Sequence, residues 1–111
     1  MHEYGLALEI AARALENAGN RRLLRITVSN GELSGVCTES LAMYCDMVFR
    51  ERQSSPVDVV SVKVPARFRC SCGREYAPGK LFEPCTACGG IDRTIIGGKE
   101  CVLESIEVDN E

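Results

Sequence analysis

The chain has 111 residues, 45% of them hydrophobic and 26% charged, with a net charge of −3. That length allows about one domain with a small appendage. The apolar share excludes a disordered chain, and no stretch approaches the ~18 apolar residues of a membrane span.

In chain order, residues 3–18 read as a helix. Leu8, Ala11, Ala12, Leu15 and Ala18 recur at helical spacing, with Glu9, Arg13 and Glu16 opposite. Gly19 suits the position just past its end. Residues 24–29 alternate as a strand, which Asn30-Gly31 is expected to break, with a further turn at Gly35. A second helix is predicted over residues 38–52, capped by Thr38, with Glu39 in its first turn and an apolar stripe of Leu41, Cys45, Val48 and Phe49. After Ser54-Ser55-Pro56, residues 57–64 form a β-branched run in which Val60, Val62 and Val64 alternate with Ser61 and Lys63. Pro65 marks its end or a sheet edge.

The character changes over residues 68–99. This stretch holds four of the seven cysteines, six glycines and two prolines, and has little helical periodicity. Alternation returns over residues 102–108, where Val102, Ile106 and Val108 are expected on one face and Leu103 on the other. The predicted fold is therefore α+β: two helices on a three-stranded sheet in the order α-β-α-β…β, with an inserted zinc-ribbon-like domain. Residues 1–67 with 101–111 form the body, and residues 68–100 the insertion.

The insertion carries Cys70-Ser-Cys72 and Cys85-Thr-Ala-Cys88, separated by a twelve-residue spacer. Zn²⁺ takes four thiolates tetrahedrally, and two short cysteine pairs on a hairpin supply them. Gly73 and Gly89 follow the second cysteine of each pair, letting the chain turn so that N–H groups face sulfur. The first pair is C-x-C, one residue short of the usual knuckle, yet residues i and i+2 of an extended chain point to one side. Scattered core thiols or a dithiol switch would also account for cysteines here. Zinc is preferred because so small a region, with few large apolar residues, needs a staple. Cys45 and Cys101 read as core, Cys37 lies at a loop–helix junction, and Cys101 is the reserve ligand should C-x-C fail to close the site. An odd cysteine count with no basic n-region at Met1-His2-Glu3 predicts a cytoplasmic protein without a disulfide frame.

Residues 67–99 carry six basic and three acidic side chains, so four thiolates with one divalent ion leave the insertion near +1 and the remainder acidic. That is a poor nucleic-acid surface. His2 is the only histidine. Its ring and backbone nitrogen, with the Met1 amine, can form fused chelate rings, and deprotonated amide nitrogens suit Ni(II) or Cu(II). Histidine at position two is also too bulky for ready trimming of the methionine. Glu3 could add a backbone nitrogen or a carboxylate, or serve as a helix N-terminal acid. The plain alternative is a frayed end.

Taken together, Met1-His2-Glu3, Gly31-Glu32-Leu33-Ser34-Gly35-Val36, Val64-Pro65-Ala66-Arg67, the cysteine pairs and Ser105-Ile106-Glu107-Val108 resemble the HypA/HybF hydrogenase nickel-insertion family, in matching order along essentially the whole chain. The resemblance implies a non-catalytic nickel metallochaperone that holds transient Ni(II) through Met1 and His2, with Glu3 adjacent or contributing. It implies structural Zn(II) on Cys70, Cys72, Cys85 and Cys88. It further implies delivery to the large-subunit precursor of a [NiFe]-hydrogenase with a HypB-type GTPase, and in some organisms a role with urease maturation proteins. Neither a membrane nor a nucleic acid is an expected partner, and the protein is expected to be a monomer or homodimer. The C-x-C pair departs from the C-x-x-C of many members. The rivals are a zinc-ribbon nucleic-acid factor and a thiol redox protein. No nucleophile or acid–base constellation suggests an enzyme.

Overall fold

The computed structural model describes residues 2–80 and 82–110. Helix α1 spans Glu3–Ala18, strand β1 Leu23–Gly31, helix α2 Thr38–Arg52 and strand β2 Asp58–Val64. Short strands β3 (Arg67–Cys70), β4 (Glu75–Tyr76) and β5 (Arg93–Gly97) follow, and β6 (Cys101–Val108) closes the chain. Both helices occupy the predicted residues, because their apolar spacing matches the core they face. Gly19 forms the C-cap of α1.

The first sheet has the order β2-β1-β6. Strands β1 and β2 run parallel, with α2 as the crossover such a pair requires. Strand β6 lies antiparallel on the other side of β1. The helices cover one face. Ala7, Ile10, Ala11, Ala14 and Ala18 of α1 meet Leu41, Cys45, Val48 and Phe49 of α2 over Leu23, Ile26, Val28 and Val57. The alanines of α1 let the second layer approach closely, while Ala12 is exposed rather than part of the buried stripe.

Three other details depart from the sequence expectation. Strand β1 does not break at Asn30-Gly31; parallel pairing continues to Gly31 opposite Val64. Val57, just before β2, and Val59 within it pack against the helices, and Val62 stands exposed on the sheet's open face. In β6 the inward residues are Cys101, Leu103, Ile106 and Val108, with Val102 outward. The cause is a register shift: Thr27 pairs with Ser105 but Val28 with Leu103, so Glu104 is skipped and the alternation reverses. A bulge of this kind exchanges the two faces of a strand.

The second sheet, β4-β3-β5, is antiparallel. Its core consists of Ala66, Phe68, Cys70, Tyr76 and Cys85, with Leu33 of the β1–α2 loop packed against it. That loop is also hydrogen-bonded to the insertion's two ends. Leu33 N–H donates to Gly98 O (2.7 Å), Gly31 N–H to Glu100 O (2.8 Å), and Ala66 N–H to the Glu32 carboxylate (2.9 Å). The close approach requires glycine on both sides. A Cβ on Gly31 would lie 2.3 Å from Gly98 O, and one on Gly98, itself at φ +83°, 2.8 Å from the Pro65 carbonyl.

Candidate metal centre

The two cysteine pairs come from two separate turns of the small sheet. Cys70 ends β3, and Cys72 follows in the turn to β4. Cys85 and Cys88 lie on the loop before β5. Hydrogen bonds shape both turns. Gly73 N–H donates to Cys70 O (2.9 Å) and Gly89 N–H to Cys85 O (2.7 Å), with positive φ at both glycines. Beyond the second pair, Gly90 N–H donates to Cys88 Sγ at 3.3 Å. The predicted pairing of glycine turns with N–H groups aimed at sulfur is therefore present.

All four sulfurs lie within 4.8 Å of one another. Two separations across the motifs are 3.4 Å for Cys70 to Cys88 and 3.9 Å for Cys72 to Cys85. Zn–S bonds of about 2.3 Å in a tetrahedron place sulfurs about 3.8 Å apart. The C-x-C pair thus brings both sulfurs to the common centre, as the extended geometry of β3 allows.

The thiols also compete for charge. The Cys72 N–H, against the opposing effect of burial, holds the Cys70 thiol down to about 7, and the Cys88 N–H holds Cys85 below its ordinary range. Cys88 feels the Gly90 N–H pulling it down, but the Cys70 thiol and burial push it up to about 11. Four thiolates this close cannot all be charged without a cation among them. A soft divalent ion resolves that conflict, and the donor set fits zinc in a coordinatively closed site.

The other cysteines stand apart. Cys45 is buried in the first core, and burial, then the nearby Cys101, raise it to about 11, the signature of an inert core thiol. Cys101 packs against that same core, so it is not a reserve ligand for the four-sulfur cluster. Cys37 is the exposed N-cap of α2, and its thiol sits 3.4 Å from the Glu39 carboxylate. Thr38, expected as the cap, instead accepts a hydrogen bond at Oγ1 from Asn30 (3.0 Å).

At the other metal-ligand candidate, Met1 lies outside the described residues. His2 is exposed and forms the N-cap of α1 without a capping hydrogen bond from its side chain, and its carbonyl accepts the first helical bond from Leu6 N–H (3.1 Å). The ring is thus left without a structural task in the helix cap. Glu3 opens α1, and its carboxylate accepts from Cys37 N–H at 3.3 Å. Its acid serves the N-terminus of α2, an arrangement that no periodicity in the sequence announces. The cysteine cluster and His2 belong to different parts of the fold, one on the small sheet and one at the start of α1.

The arginines of the small sheet and its loops are largely engaged with their neighbours there. Arg67 and Arg69 pair with Glu75, Arg74 donates to the Thr86 hydroxyl, and Arg93 stacks 4.1 Å over the Phe68 ring while donating to Glu83 O. They therefore brace a loop-rich fold rather than form an open basic stripe.

A family model described as "Hydrogenase/urease nickel incorporation, metallochaperone, hypA" matches residues 1–108. The chain belongs to the HypA family. Among its relatives, the hydrogenase maturation factor HypA of Geotalea daltonii is 35% identical over 109 residues, covering 97% of this chain and 99% of the relative. The factor of the same name from Dehalococcoides mccartyi strain 195 is 34% identical over 116 residues, covering 100% and 97%. The solution structure of the nickel metallochaperone HypA from Helicobacter pylori shares the fold, with a TM-score of 0.69 at 24% identity and full coverage of both chains. A second HypA solution structure matches at the same TM-score and 26% identity, covering 100% of this chain and 98% of that one. The family is thus a metallochaperone family for nickel, and the four-cysteine group supplies a fitting zinc site beside that role. Among the described residues, no helix is long and apolar enough to cross a membrane.

Proposed function

We propose that this HypA-family chain receives Ni(II) at its Met1-His2-Glu3 end and passes it to the large-subunit precursor of a [NiFe]-hydrogenase, working in the cytoplasm with a HypB-type GTPase. Urease maturation proteins are a second outlet for the same cargo. The reading rests on one observation above others: a nickel-incorporation family match running from residue 1 to residue 108, so that it includes both the His2 end and the cysteines. We also propose the division into a body of residues 1–67 with 101–111 and a zinc unit of residues 68–100, with zinc held by Cys70, Cys72, Cys85 and Cys88.

The two metals need different surroundings. Four thiolates in a closed tetrahedron hold a structural ion tightly. Cargo must enter and leave, which suits an exposed imidazole with backbone nitrogens. The imidazole and amide nitrogens must shed protons to bind nickel, so affinity at this end rises with pH.

Nickel titration by calorimetry, with zinc measured in parallel, tests the assignment. His2→Ala is expected to lose stoichiometric Ni(II) binding and retain one zinc per chain. An unchanged nickel affinity in that variant would place the cargo elsewhere.

A further inference from the structure

Asn30 is the polar residue of the buried set among the described residues, only 7% exposed at the inner end of β1. A buried amide is costly unless its donors and acceptor are matched. Here they are matched entirely within the chain that leads into α2. Its Nδ2 donates to Val36 O (3.2 Å) and to Thr38 Oγ1 (3.0 Å), and its Oδ1 accepts from Ser34 Oγ (2.6 Å). The same hydroxyl oxygen of Ser34 accepts from Val36 N–H (3.1 Å). One side chain therefore grips three residues of the β1–α2 connection, on both sides of Cys37.

Cys37 is where that connection meets α1. Its N–H donates to Glu3 Oε2 (3.3 Å). That bond joins the first residue of α1 to the start of α2, directly beside His2. The N–H group is one of the orphan donors at a helix N-terminus, and a carboxylate is its natural partner. With Asn30 holding Val36 and Thr38, the direction of the Cys37 N–H is fixed, and through it the place of Glu3.

We infer that Asn30 is a positioning residue for nickel: through the Val36–Cys37–Thr38 backbone it holds Glu3, and so orients the His2 end of α1 for chelation. This rests on the nickel reading above. Glu3 then acts through an anchored carboxylate that sets its backbone nitrogen in place, instead of a free carboxylate that swings onto the ion. Preorganisation of this kind raises affinity by lowering the ordering cost of binding. The ordinary alternative is that Asn30 only stabilises the loop.

Nickel calorimetry on the full-length protein distinguishes these roles, with zinc content, thermal midpoint and amide hydrogen exchange at Cys37 followed in the same samples. Asn30→Asp keeps the acceptor and volume but loses both donors. It is expected to weaken nickel binding about five- to tenfold, the scale of a lost buried hydrogen bond, to speed exchange at Cys37, and to leave one zinc per chain. Thr38→Val removes one partner at a half-open site and is expected to show the same pattern, smaller in size. Should Asn30→Asp not fold, Thr38→Val carries the test. Glu3→Gln, which retains an acceptor for Cys37 N–H, is expected to lose less affinity than Glu3→Ala.

Faster Cys37 exchange with nickel affinity unchanged would reduce Asn30 to a structural role and overturn the inference. Equal losses in Glu3→Gln and Glu3→Ala would make the carboxylate itself a nickel donor, and would overturn it too. His2→Ala separates the two levels of the argument. If that variant still binds nickel, the site assignment has failed. If it does not, while Asn30→Asp and Thr38→Val bind as wild type, only the positioning role has failed.

Discussion

The body and the small sheet reach stability by different routes. In the body, Phe49, Leu23, Ile26, Leu41, Val28 and Val48 are almost fully buried, along with four alanines of α1. Two layers close over an apolar core, and each large side chain contributes about 1.5–3 kcal/mol relative to exposure. In the small sheet, two of the five buried core residues among those described, Cys70 and Cys85, are thiols of the metal cluster. Phe82 and Ile91 of the same unit are left exposed. A unit of this size with so few buried apolar groups is expected to need its ion to fold, whereas the apolar core of the body is expected to persist without it. Two regions of one small fold can thus be built on different supports, a layered apolar core in one and a cluster of four thiols in the other.

The largest expected effect follows directly. Structural zinc contributes about 10–16 kcal/mol in small zinc units, far more than the apolar contacts of Phe68 and Tyr76. Chelation of zinc, or Cys85→Ala, should unfold residues 67–97 while the helices and first sheet persist. In an amide NMR spectrum, dispersed signals from β3 to β5 should collapse and those of α1, α2 and β1 remain. Loss of dispersion throughout the chain would show that the body depends on the ion, and the contrast would fail.

The converse experiment is smaller in scale. Phe49 is fully buried, and Phe49→Ala should cost about 3–5 kcal/mol. Thermal unfolding should then lower the helical transition while one zinc per chain stays bound below it. Release of zinc at the lowered midpoint would mean that Leu33 and the Glu32–Ala66 contact fuse the two regions into one cooperative unit.

How much of this was legible in the sequence follows the same physics. The spans of helices α1 and α2 were readable from their apolar period, and Gly19 marked the end of α1, but the cap of α2 is Cys37 and not Thr38. The cysteine cluster was readable because ligand chemistry is written in residue type and spacing, and even C-x-C met its geometry. The strands were less readable. Residues 57–64 are apolar on both faces, so alternation could not decide that Val57 and Val59 face the helices. The bulge at Glu104 reverses β6 without any local signal. Strands β3 to β5 are two to five residues long and are set by the cluster and the arginine contacts more than by propensity. Asn30-Gly31 carried a turn signal, yet the strand continued, because the Asn30 side chain finds its partners across the loop and Gly31 is needed for the approach of Gly98. The contact of Glu3 with Cys37 joins residues distant in sequence, and no spacing rule foretells it.

The smallest effect sharpens the comparison at its surface. Glu75 accepts from Arg69 at 2.8 Å and faces Arg67 at 3.9 Å, and all three side chains are about half exposed. Hydrogen bonding to Arg69, reinforced by its charge and that of Arg67, holds the Glu75 carboxyl below the usual range. A lowered carboxyl favours the folded state above its unfolded value, and that contribution fades as pH falls through the folded value. Acid should therefore remove this brace from the small sheet as pH falls through the lowered Glu75 value. The pair itself is a surface pair and is worth little. Arg69→Ala is expected to shift the midpoint of the zinc-loaded protein by no more than about 4 °C at neutral pH. In acid the variant and wild type should converge, since Glu75 is then neutral in both. A large loss at neutral pH would mean that the arginine brace, and not the ion, is the main support of the small sheet, and the division of labour between the two regions would have to be redrawn.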